Sequence, residues 1–149
     1  MTQTTTAVNA CDVSIWLDNA AGTPTDISGS SNEVTLDFSM NVGELRNFQS
    51  RWPLRLMCGK DAKFALVVTY TTASDEAVDI LRDWFFQSDP APRTLAVYIP
   101  DKNVGSDKYS GECVMDSLSI PAKSGEGTPI AVSASFLPNG EWSHTTAAT

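Results

Sequence analysis

The residues that could do chemistry in this chain are few, and none falls into a spacing that chemistry requires. Hydrolysis by a nucleophile needs a positioned base, usually histidine. The only histidine, His144, stands in a polar tail near the C-terminus, where chains are commonly mobile. There is no phosphate-binding loop and no dinucleotide fingerprint. Glu112 and Asp116 are four apart on an expected strand. They would share a face about 13 Å apart at strand rise, beyond the roughly 5–9.5 Å of a glycosidase pair. A cross-strand meeting of Glu112 with Glu33 or Asp37 stays open at this point. Asp101, Asn103, Gly105, Asp107 and Glu112 imitate the spacing of a calcium loop. Ser106 replaces the glycine such a loop needs, and strands are expected where helices should flank it, so a solvated turn is the expectation. Cys11, Cys58 and Cys113 are odd in number and widely spaced, which suits small buried apolar residues better than disulfides or zinc. We therefore expect no catalysis, no metal and no cofactor.

What remains is surface. The net charge is −8, which argues against a protein that grips nucleic acid through Lys and Arg but not against one that surrounds it. The charge is unevenly spread. Residues 43–63 hold Arg46, Arg51, Arg55, Lys60 and Lys63 against Glu44 and Asp61, a net +3, leaving −11 on the rest. This basic segment also carries Phe48 and Trp52. An ordinary surface loop is one account of it. An arm that docks on an acidic neighbour is the other, and Arg and Trp are common interface anchors. If the neighbour is another copy, the contact is head-to-tail and gives rings or filaments.

The elements that would position these residues are mostly strands. Residues 33–42 alternate polar and apolar without an error, placing Glu33, Thr35, Asp37, Ser39 and Asn41 on one face and Val34, Leu36, Phe38, Met40 and Val42 against a core. That polar face carries no cation of its own. Strands are also expected at 11–17, 63–71, 93–99, 109–120 and 129–137. Residues 43–62 resist assignment because Gly43, Pro53 and Gly59 interrupt them. A helix is expected over 75–86, capped by Ser74, with Ala77, Ile80, Leu81, Trp84 and Phe85 on its core face. Residues 1–10 and 138–149 read as free arms. No apolar run nears the ~20 residues of a membrane span, and the N-terminus is not a secretory signal, so folding in a cytoplasm is the expectation. The 149 residues make one domain. Its class is mainly β: a β-sandwich or partly closed barrel with one packed helix and a long extended arm loop.

The order of these features resembles the tail tube proteins of siphophages, which are related to the tubes of contractile tails and type VI secretion. The matching residues run from Ile15-Trp16-Leu17 and Asp26-Ile27-Ser28-Gly29, through the alternating strand and the arm with Leu56-Met57-Cys58-Gly59-Lys60-Asp61. They continue to Tyr109-Ser110-Gly111-Glu112-Cys113 and Pro138-Asn139-Gly140. The resemblance implies a structural virion protein that forms stacked hexameric rings, with an acidic lumen through which DNA passes without tight binding. By position, the lumen would be lined by Glu33, Thr35, Asp37 and Ser39, with Glu112 and Asp116. The arm of Arg46, Phe48, Arg51, Trp52, Arg55 and Lys60 would meet adjacent subunits, and the termini would order on assembly. The implied partners are further copies, a tape measure protein, a tail terminator and baseplate or tip proteins. A nearer alternative is the tube subunit of a contractile tail or type VI secretion system, or a tail terminator. Two readings of other classes also stand beside it. One is a carbohydrate-binding β-sandwich with a platform of Trp16, Trp142 or Tyr98. The other is a small hydrolase using clustered carboxylates such as Glu112.

Overall fold

A computed structural model describes residues 7–125 and 127–148. The expected arms at 1–10 therefore lie largely outside the described residues. The strands are β1 (Ser14–Asp18), β2 (Pro24–Asp26), β3 (Ser31–Leu45), β4 (Leu54–Thr69), β5 (Arg93–Ile99), β6 (Asp107–Ser119), β7 (Ala131–Pro138) and β8 (Ser143–Thr146). The one α-helix among the described residues is α1 (Ala77–Phe86). All strands join one open antiparallel sheet of order β2-β1-β5-β6-β7-β4-β3, with β8 on β6.

The class is mainly β, as the alternation predicts. The sheet folds over on itself rather than closing by hydrogen bonds. Val34, Leu36 and Phe38 of β3 line the same groove as Val97, Ile99 and Tyr109 of β5 and β6. The fold-over happens along β6. Its first half pairs with β5, and its second half, from Cys113 onward, pairs with β7. A bulge at Asp116, between Met115 and Ser117, marks the passage; bulges bend and twist strands in this way.

Registers carry the alternation across the sheet. One row runs Leu36, Phe64, Phe136, Met115 and the next Val34, Leu66, Ala134, Leu118. Register partners share a face, so these rows line the core. Helix α1 covers them. Ala77, Val78, Ile80, Leu81 and Trp84 are buried, and Trp84 stacks on Phe136 with ring centroids 5.7 Å apart. The Trp84 indole N–H donates to the Ala91 carbonyl at 2.8 Å, which ties the helix end to the loop entering β5.

Several expectations are corrected. Residues 43–62 are not a loop: β3 runs on to Leu45 and β4 starts at Leu54, forming a long hairpin. Gly43 pairs within it opposite Leu56, and Pro53 stands just before β4. Gly59 sits at φ +68°, where the register shifts between Met40 and Asn41, a bulge position that suits glycine. Met40 and Val42 keep the inward parity of β3 yet are exposed, as is Phe38 at 53%, because the hairpin projects past the body. Ser74 does not cap α1; Glu76 holds the N-cap position without a side-chain bond. Instead the Asp75 N–H donates to the Asp79 carboxylate at 3.0 Å. Phe85 is exposed and Val78 takes a core position in its stead. Cys113 is buried as expected, but Cys11 and Cys58 are exposed; Cys58 lies on the hairpin.

The C-terminal segment is not a free arm over 138–148. Trp142 stacks on Phe64 with centroids 4.1 Å apart, and its N–H donates to the Glu112 carbonyl at 2.9 Å. β8 then pairs with residues 107–110 on the edge of β6 that β7 has just left, and Ala147 is buried against Ala96 and Tyr98.

Candidate assembly surfaces

Four strands make a layer whose outward side is exposed or half-buried among the described residues. Its rows are Thr35, Ala65, Ser135, Ser117 and Glu33, Val67, Ser133, Ser119. Beyond them Asp37 stands opposite Lys63 and Ser39 opposite Asp61. Glu33, Thr35, Asp37 and Ser39 thus share one side of β3, as alternation requires. β4 corrects the electrostatics: Lys63 puts a cation directly across from Asp37. The side is mildly acidic and rich in hydroxyls. Ser117, Ser119, Ser133 and Ser135 escaped notice in the sequence, although serine at alternate positions within two strands was the available signal.

Glu112 and Asp116 are not part of those rows. Glu112 pairs with Thr94 on the first half of β6, and Asp116 occupies the bulge. The period-two relation between them is broken there. Glu33 and Asp37 stand on the outward side of β3, opposite to the side that meets the first half of β6, so no cluster of Glu112 with Glu33 or Asp37 forms. Among the described residues no three His, Cys, Asp or Glu side chains gather as a metal site. In the turn at 101–107 the Asp101 carboxylate is occupied locally. It accepts from the Asn103 N–H at 3.0 Å and from the Ser106 hydroxyl at 2.9 Å. The Asn103 backbone bond and then the Ser106 hydroxyl hold it below the ordinary carboxyl value. Asp107 instead meets His144 at 2.8 Å.

Among the described residues the layer has two unpaired edges. β3 has β4 on one side only, along its whole length. β6 has no partner on its β5 side beyond Cys113, since β5 ends there at Arg93. Unpaired strand edges present rows of N–H and C=O groups to other chains.

The hairpin is the third surface. Arg46 and Arg55 both approach Glu44, while Arg51 makes no ion pair among the described residues. Trp52 is 84% exposed, and Phe48, Leu45, Leu54, Leu56 and Met57 are exposed with it. Lys60 pairs in register with Met40 near the base. Its side chain helps line a cleft of about 430 Å³ with Phe38, Pro138, Glu141 and Trp142.

The proposed aromatic platform does not assemble. Trp142 packs inward on Phe64, whereas Trp16 lies against Ala96, Tyr98 and Ala147 on the other side of the sheet. The Lys102 ammonium covers the Trp16 ring at 3.4 Å, and Tyr98 is buried.

No family model and no curated protein sequence matches the chain. Solved structures do match in fold. A chain from the tail of an empty gene transfer agent particle, determined with C6 symmetry, superposes with a TM-score of 0.71 at 18% identity, covering 93% of this chain and 99% of that one. A chain of the anti-feeding prophage baseplate gives 0.76 at 10% identity, covering 99% and 100%. The SPP1 tail tube gives 0.68 at 14% identity, covering 96% and 80%. The chain therefore has the fold that these tail and tube proteins share.

Proposed function

We propose that this chain is the tail tube subunit of a long-tailed phage, a non-enzymatic virion protein that closes into hexameric rings and stacks them into a conduit for DNA. The observation that carries this is the four-stranded layer with an open edge at each end, β3 on one side and residues 114–119 on the other. Two different edges on one subunit join head-to-tail, and such contacts form a ring where the rotation between copies closes. The serine-rich side of the layer would then line the bore, with Glu33, Thr35, Asp37 and Ser39 on it. Its charge favours passage over grip: Lys63 is offset by Asp37, and Glu33 and Asp61 remain to repel phosphate within a Debye length of about 8 Å. The fold shared with gene transfer agent tails and the SPP1 tail tube supports the reading.

The hairpin supplies the second contact, between neighbouring copies. A tape measure protein within the tube and terminator and tip proteins at its ends are the partners this assembly requires. The same fold in chains from contractile injection assemblies supports a tube subunit of that kind as the second reading, and a tape-measure gene beside this one would favour the first. Electron microscopy of the purified protein tests the core claim. Hollow tubes are expected, and a protein that stays monomeric at every concentration overturns it. Trp52→Ala and Arg51→Glu should each leave a folded monomer that no longer polymerises; normal tubes from both would remove the hairpin from the assembly.

A further inference from the structure

One end of the molecule exposes two adjoining aromatic side chains. Past Trp84, the helix leaves Phe85 and Phe86 in solvent, the latter 72% exposed, with their rings edge-to-face at 5.2 Å. Residues 83–92 carry Asp83 and Asp89 and no cation. Beside Phe85 runs a groove of about 140 Å³ lined by Trp84, Pro90, Ala91, Val114 and Met115. That groove opens where β6 loses its β5 partner, so it adjoins the free edge at 114–119.

We infer that this corner, Phe85 and Phe86 flanked by Asp83 and Asp89, is the receptor for the hairpin tip of a second copy. The inference rests on the tube reading and names its docking surface. The tip offers Phe48, Trp52 and Arg51, which makes no ion pair among the described residues, within a segment of net +3. The corner offers exposed phenylalanines beside Asp89, while Asp83 stands near the Arg93 guanidinium and Arg82 is taken by Asp79; complementary charge fixes register and partner. Geometry brings them together. Within the layer β3 runs antiparallel to β6. A neighbour's β3 laid in the same sense along the edge at 114–119 carries its hairpin about 25 Å beyond the level of Val114 at strand rise. β5 fills the edge from Cys113 onward, so the hairpin has to ride over residues 87–92 and the end of α1. Both surfaces also expose apolar side chains that docking would bury.

Asp89→Arg should raise the concentration needed for polymerisation about tenfold, and adding Arg51→Asp to the same chain should restore it, with circular dichroism confirming a folded monomer for each. A photo-crosslinking benzoylphenylalanine in place of Phe86, in a mixture of ¹⁴N and ¹⁵N protein, should capture residues 46–55 of a different copy. Polymerisation of Asp89→Arg at the wild-type concentration, or cross-links elsewhere on the second copy, overturns the docking surface and leaves the tube standing. A wild-type protein that never polymerises overturns both.

Discussion

Gly111 shows how one residue holds two distant parts of the chain together. A Cβ built there would meet the Trp142 ring at 2.6 Å, so the indole lies flat over the backbone of β6. Gly111→Ala should cost about 1–3 kcal/mol as overpacking, read by denaturant unfolding, and should loosen Trp142 and β8. Cys113 makes a second test. Burial pushes its thiol up to about 12, helped by the nearby Asp18 and Glu112 charges, while Cys11 and Cys58 are exposed. A thiol reagent at neutral pH should label two cysteines in the native protein and the third only on unfolding. The linked stability is present below the ordinary thiol value of 9.0 and lost as pH rises toward 12, because the unfolded chain releases its proton first.

Among the elements, α1 and the hairpin are opposites. The helix is stable through its packing: Trp84 touches Phe136, the Arg93 guanidinium at 5.2 Å, and the Ala91 carbonyl. Trp84→Ala should cost about 3–5 kcal/mol and lower the thermal midpoint sharply. The hairpin has no such support, since both its sides are wet. Removal of its tip, residues 46–53, with a short turn in place, should change monomer stability little while abolishing polymerisation, as calorimetry and sedimentation would show.

At the scale of the molecule, a basic hairpin on an acidic body should make the proposed assembly sensitive to salt. The Debye length falls from about 10 Å at 0.1 M to about 3 Å at 1 M. The concentration needed for polymerisation should therefore rise with ionic strength, as light scattering would report. An unchanged or falling value would mean that apolar and strand-edge contacts alone drive assembly.

Alternation determined much by itself. The faultless run at 33–42 placed Glu33, Thr35, Asp37 and Ser39 on one side, and 93–99 gave β5 to the residue, because a side chain's direction in a strand depends only on its own parity. The helix was legible because five apolar residues recur at its period. Tertiary structure decided what parity cannot know. Gly43, Pro53 and Gly59 look like interruptions until a partner strand shows that one pairs, one precedes the strand and one forms a bulge. Glu112 and Asp116 share a parity that the bulge at Asp116 destroys. Trp142, in a segment without pattern, finds Phe64 from 78 residues away. Met40 and Val42 carry core parity but have no core beneath them. Burial depends on where the body ends, and that is set by the packing of every strand together.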